Sequence, residues 1–250
     1  MESVPKKTSH ASEKAFTIVS YNICHGENID GIIDLGAAGM VVRHETPRFV
    51  GLQEVDQLTP RVGGADTCAI MSEKTGLHAT FAKAIDFAGG EYGNALLSRE
   101  KPLAVRRIPL PGAEPRVLLL CEFDDCWVGV THLAVDSAEA RLQSIGIVRD
   151  AVAACGGKPV FLMGDWNASP DSEVLAGMRG FMTILSDEKT CTCHGKVFDP
   201  ASLHDTSRCI DYIAIDTAHA GNYVLRDRHV IEERHVSDHA PQMIEVVPSA

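Results

Sequence analysis

The chain has 250 residues, 45% of them hydrophobic, and a formal net charge of −11. That is enough apolar material for one large core or just two, and no apolar run approaches the roughly eighteen residues of a membrane span. The basic residues are dispersed, with Lys6-Lys7 and Arg106-Arg107 as the largest clusters, which weighs against DNA or anionic lipid as a partner.

Residues 1–15, MESVPKKTSHASEKA, are polar and lack the apolar core of a signal peptide. They read as a flexible lead-in to a single domain over 16–250. The default compartment is the cytoplasm; a leader trimmed beforehand would make the protein secreted or periplasmic.

FTIVSYN (16–22) reads as the first strand and 31–44 as a helix. RFVGLQEV (48–55) follows Pro47 as a second strand, and 67–76 reads as a second helix. NALLS (94–98), RVLLLCEF (116–123) and WVGVTHL (127–133) continue the strands, with DDC (124–126) as a hairpin turn. SAEARLQSIGIVRDAVAACGG (137–157) is the clearest helix. Ser137 suits its N-cap and Glu139 its first turn. Leu142, Ile145, Val148 and Val152 fall near one face, and Gly156 ends it. KPVFLMG (158–164), CIDYIAI (209–215) and NYVLRDRHVI (222–231) complete the set. Strands in hairpin and crossover order with helices outside imply two packed sheets flanked by helices, undivided by a linker.

Eight cysteines are scattered along the chain, which is too long to depend on disulfides. Cys191, Cys193 and His194 form a C-x-C-H cluster without the second ligand pair of a structural zinc site. Most of the cysteines read as small buried hydrophobes.

The strand ends carry the chemistry. Asn22, Glu54 and Asp56, His132, Asp165 and Asn167, and Asp211 each sit where an apolar run stops, and Asp238-His239 lies near the C-terminus. One such residue is a turn former. A series of them converging at one edge makes an oxygen-rich site for a hard cation, Mg²⁺ or Mn²⁺ rather than zinc. Clustered carboxylates of that kind also inflate the negative charge. Glu54 is the best single ligand, with Asn22, Asp165, Asn167 and Asp238 around it. Asp211 and His239 could form an oriented base. Asp165 and Asn167, two residues apart, fall on one side of the chain, and Trp166 points the other way into packing.

SYNI, LQEVD, YGNALLS, THL, GDWNASP, IDYIAI and SDHAP occur in this order from about Phe16 to Val247. The pattern resembles the endonuclease/exonuclease/phosphatase superfamily, the metal-dependent phosphohydrolases related to pancreatic deoxyribonuclease, and its wording is most similar to bacterial members and the sphingomyelinase-like branch. The resemblance implies an α/β four-layered sandwich, two central mixed β-sheets flanked by helices. It implies Glu54 as principal Mg²⁺ ligand beside Asn22, with Mn²⁺ as a substitute, and Asp238 as a further metal or water-network residue. It implies that Asp165 and Asn167 position the water and the phosphate, that Asp211 orients a catalytic His239, and that His132 and Asn94, with Tyr92, donate to phosphate oxygens. Arg61, in Thr59-x-Arg-x-Gly63, matches a pattern of bacterial members and suits a substrate phosphate.

One departure stands out. Abasic-site endonucleases of the superfamily carry an Asp shortly after the first Asn, where this chain has Ile23, Cys24 and His25. Cys24 is no hard-cation ligand, so a second metal of that kind and a DNA-repair role are not expected. The expectation is a monomeric Mg²⁺-dependent phosphodiesterase acting by in-line water attack on a small phosphodiester or lipid head group. The alternatives are a nuclease, or a non-catalytic metal-binding module of the same fold. The other histidines, His25 included, match no motif.

Overall fold

The computed structural model describes residues 15–195 and 208–249. The expected lead-in therefore lies, up to residue 14, outside the described residues. Among these, no helix is long and apolar enough to cross a membrane.

The first sheet is built from β1 (Phe16–Asn22), β2 (Phe49–Gln57), β3 (His78–Phe87), β4 (Gly90–Ser98), β11 (Tyr223–Val230) and β12 (Gln242–Pro248), in the order β11-β12-β1-β2-β4-β3. The second contains β5 (Ala104–Leu110), β6 (Arg116–Glu122), β7 (Trp127–His132), β8 (Val160–Asp165), β9 (Met182–Ile184) and β10 (Asp211–Asp216), in the order β5-β6-β7-β8-β10-β9. Both are mixed: β1 pairs parallel with β2 and β7 with β8, while their other neighbours run antiparallel.

The alternation of side chains along each strand builds the layers. Ile18, Phe49, Leu119, Val130, Phe161 and Ile244 point between the sheets. Their neighbours Val19, Val50 and Leu52 turn outward onto α1 (Ala37–Arg43) and α2 (Thr67–Thr75). Leu118, Leu120 and Leu162 turn onto α3 (Ala138–Ala153) and α4 (Glu173–Arg179). Helices, sheet, sheet and helices make the four-layered α/β sandwich. Central strands buried on both faces read as unbroken apolar runs, and each inward Phe or Ile contributes about 2 kcal/mol. The backbones of β7 and β8 approach closely at Thr131 and Gly164, where a Cβ on Gly164 would lie 1.9 Å from the Thr131 carbonyl oxygen. The glycine of GDWN is therefore fixed by the pairing that carries Asp165.

Several expectations need correction. The helix expected over 31–44 is confined to α1. Asn28 Oδ1 accepts from Asp30 N and Ile32 N, and Asp34 Oδ1 from Gly36 N and Ala37 N, so side chains hold this stretch in turns. The helix after Ser137 forms with the expected cap, its Oγ accepting from Ala140 N, but it ends at Ala153 with Ala154 rather than a glycine at its C-cap. Its buried stripe is Ala140, Ser144, Ile145, Val148 and Ala151, while Leu142 is exposed. Strands β3, β5, β9 and β12 and helix α4 were not foreseen.

Candidate active site

The register of the second sheet places three site residues side by side. His132 on β7 pairs with Asp165 on β8, and Asp165 pairs with Asp211 on β10. All three side chains are buried. His239 arrives from the loop before β12, with Nδ1 2.9 Å from Asp211 Oδ2 and Nε2 3.7 Å from Asp165 Oδ2. Ser237 fixes that loop: its Oγ donates to Asn22 O at 2.8 Å and accepts from His239 N at 3.2 Å.

The first sheet contributes Asn22 and Glu54. The pairing of β2 with β4 shifts register between Leu52 and Val55. Glu54 sits in this bulge with φ +58°, a left-handed conformation that costs a non-glycine residue of order 1–3 kcal/mol. The bulge leaves its carboxylate partly exposed while Gln53 and Val55 are buried. Asn22 joins the two sheets, its Nδ2 donating to Glu54 Oε1 at 2.9 Å and to Asp165 Oδ2 at 3.1 Å. Its Oδ1 accepts from Cys24 N at 3.1 Å, so the amide oriented this way bridges the carboxylates with its nitrogen.

Asn167 follows β8 with φ +48°. Its backbone N–H donates to Asp165 Oδ1 at 2.9 Å. Its Nδ2 lies 3.0 Å from His132 Nε2 and 3.1 Å from Leu133 O. Trp166 between them is wholly buried, tilted against Tyr212 at 4.9 Å between ring centroids, the packing role expected of it.

The titration behaviour of the group follows from this crowding. Burial alone would raise the Glu54 carboxyl, but His25, His132, Asn22 and His239 hold it far below the usual carboxylate range. Burial and Asp211 push Asp165 up to about 7, against the pull of His239 and the Asn167 and Asn22 donors. Burial disfavours a charged His239, yet Asp211, Cys193 and Asp165 outweigh it and hold its pKa well above the ordinary value. Burial, with Arg116 assisting, drives His132 down to about 3, so its ring is neutral. The cluster thus combines one ionised carboxylate at its mouth, one imidazolium between two aspartates, and one neutral imidazole.

The remaining expected residues are placed less directly. Asn94 is buried and its Nδ2 donates to Val117 O at 2.9 Å. Arg61 turns both Nε and Nη2 onto Asp56, at 2.6 and 2.7 Å, with its guanidinium over the Phe87 and Tyr92 rings. Asp238 is half-buried with Oδ1 3.4 Å from Ser237 Oγ. The sequence reading missed Arg116. It is buried at the start of β6, with Nη1 2.7 Å from Glu114 Oε1 and 3.5 Å from His132 Nδ1. The available signal was a lone arginine opening the apolar run Val117 to Cys121.

This architecture, acids, amides and histidines gathered from the ends of two packed sheets, belongs to the metal-dependent phosphohydrolase class. The model of the endonuclease/exonuclease/phosphatase family matches residues 19–239, and the chain belongs to that family. Its members are phosphoric ester hydrolases, in general dependent on a divalent metal, and the chain is a phosphoric ester hydrolase. The chain is similar in fold to a family protein of Beutenbergia cavernae, at 23% identity over 94% of this chain and 72% of the other, with a TM-score of 0.78. It is also similar to a mannosyl-6-phosphatase of Bacteroides thetaiotaomicron, at 18% identity over 93% and 99% of the two chains, with a TM-score of 0.68. Truncated TDP2 of Caenorhabditis elegans matches at 18% identity over 93% and 97%, with a TM-score of 0.63. These likenesses are of fold, and they do not single out the sphingomyelinase-like branch. No curated protein matches the sequence.

The donor set fits a divalent cation. Glu54 is ionised and partly exposed, and Asp165 lies across Asn22 from it. An oxygen-rich set of this kind suits a hard ion.

Proposed function

We propose that the protein is a Mg²⁺-dependent phosphodiesterase acting on a small phosphodiester or lipid head group, with Mn²⁺ able to substitute. The observation that carries the reading is the continuity of the site: Asn22 links Glu54 to Asp165, and Asp165 shares a cross-strand row with His132 and Asp211.

Glu54 would hold the cation, with Asn22 and Asp238 beside it. Bound there, the cation supplies Lewis-acid neutralisation of phosphate charge and a template for the ester. Asp165 and Asn167 hold the attacking water in line with the phosphorus. Asp211 fixes the His239 ring through Nδ1, leaving Nε2 to face Asp165 and exchange a proton with the water or the pentacoordinate phosphate. His132, Asn94 and Tyr92 stabilise the developing negative charge. Arg61, stacked on Tyr92 and anchored by Asp56, and Arg116 beside His132 add positive charge at the same edge.

The test is hydrolysis of an aryl phosphodiester and an aryl phosphomonoester, with and without Mg²⁺, by the chain and by His239→Ala. Diester turnover that needs Mg²⁺ and is lost in the variant supports the reading. Preference for the monoester replaces it with a phosphatase. Equal activity in both proteins overturns the assignment of His239.

A further inference from the structure

Cys24, His25 and Gly26 form one tight 3₁₀ turn directly after β1. Cys24 and His25 both take left-handed φ values, 45° and 46°, and both are buried. The turn brings them to Glu54. One donor atom each from Cys24, His25 and Glu54 lies within 4.8 Å of the other two.

The two oxygens of Glu54 divide their neighbours. Oε1 accepts from Asn22, whereas Oε2 faces His25 Nδ1 at 3.9 Å, too far for a hydrogen bond. His25 is 8% exposed, and its Nδ1 has no hydrogen-bond partner. A buried polar atom left without a partner is costly to the fold, which marks this one as awaiting a ligand. The other ring nitrogen, Nε2, lies 3.3 Å from Glu27 Oε2. With Nε2 engaged by that carboxylate, Nδ1 is the ring nitrogen left turned toward Glu54, and ligating histidines are commonly oriented by such a second carboxylate. Donors 3.9 Å apart can both reach one ion at about 2.0–2.2 Å.

We propose that Cys24, His25 and Glu54 form a mixed sulfur, nitrogen and oxygen site for a borderline divalent transition metal of the Co²⁺, Zn²⁺ and Fe²⁺ class. It adjoins the oxygen-only position proposed for Mg²⁺ and shares Glu54 with it, on the opposite carboxylate oxygen. Cys24, unsuited to a hard cation, is here the residue that selects against Mg²⁺. The C-x-C-H segment is the competing thiolate site in the chain, and the test separates the two.

The full chain, stripped with chelator, is titrated with Co²⁺ and followed by absorption. The expected result is a thiolate-to-cobalt charge-transfer band that saturates at one equivalent and persists in millimolar Mg²⁺. Cys24→Ser removes the band and leaves weaker ligand-field absorption, and His25→Ala weakens Co²⁺ binding at least about tenfold. X-ray absorption on the wild-type cobalt form needs no variant and shows one sulfur among nitrogen and oxygen neighbours. A spectrum without sulfur overturns the proposal, as does displacement of cobalt by Mg²⁺. A band that survives Cys24→Ser and is lost in Cys191→Ser assigns the cobalt to C-x-C-H and overturns it equally. None of these readings needs turnover, so a failed phosphodiester assay leaves this site standing, and a missing band leaves the hydrolase reading standing.

Discussion

The Asp56 carboxylate is fully buried and is held by the Arg61 guanidinium through two contacts of 2.6 and 2.7 Å. Thr59 Oγ1 donates to the same carboxylate. Asp56 sits at a strand end with the site residues, yet its charge is already spent on this pair. Arg61 therefore has a structural task alongside any contact with substrate.

Arg61→Ala is expected to destabilise the fold by about 3 kcal/mol, because it strands a buried carboxylate. Arg61 is itself about a third exposed, which keeps the figure at the low end of the range for broken buried pairs. Thermal unfolding should show Tm lower by roughly 6–12 °C. The double variant Asp56→Ala/Arg61→Ala should be more stable than Arg61→Ala alone, since the stranded charge is gone. If kcat/KM on the preferred ester is unchanged in the folded fraction of Arg61→Ala, Arg61 serves stability only.

His239→Ala should lower kcat by at least about a hundredfold. Asp211→Asn should lower it by at least about tenfold, because the imidazolium then loses the partner 2.9 Å away that stabilises it. The two groups act as a unit, so the double variant should be little worse than His239→Ala. Effects that multiply across the double variant would show that Asp211 works independently of His239.

Asp165 ties stability to pH in the chelator-treated protein. Its pKa is raised, to about 7, by burial and by Asp211. A raised carboxyl contributes stability that is fully present below its unfolded value of about 4 and is lost as pH rises through the folded value. Asp165→Asn has no such proton to lose. The Tm of the variant minus that of the wild type should therefore become more positive from pH 5 to pH 8, by at least about 3 °C. A difference that stays flat with pH would mean that Asp165 is ionised throughout.

The strands buried on both faces were legible because burial forces unbroken apolar runs, as in β6 to β8. The missed β3 and β5 are sheet edges, where Lys83 is exposed and Pro109 is tolerated. The overlong first helix failed because Asn28 and Asp34 compete for the backbone donors. At the site, the resemblance marked the side chains that the structure gathers around Asp165. It did not mark Arg116 or His25. Neither belongs to a spaced motif, and their place depends on a turn and a strand register that no local pattern encodes.

Asn22→Asp tests whether the gap between Glu54 and Asp165 is a cation position. The wild-type Nδ2 donates to both carboxylates, at 2.9 and 3.1 Å. The isosteric change puts an acidic oxygen where that donor was, within hydrogen-bond distance of two others, and like charges so close raise the energy of the folded state. The Oδ1 contact to Cys24 N is kept, so the β1 turn need not move. The chelator-treated variant should unfold at a lower temperature than the wild type. Added Mg²⁺ neutralises the three oxygens together, so it should raise the Tm of the variant by more than that of the wild type, narrowing the gap. If Mg²⁺ shifts both proteins equally, the ion binds elsewhere and Asn22 only braces the carboxylates. Activity separates the two outcomes further: a variant stabilised by Mg²⁺ yet at least about tenfold slower has kept the ion and lost the hydrogen bonds that orient Glu54 and Asp165.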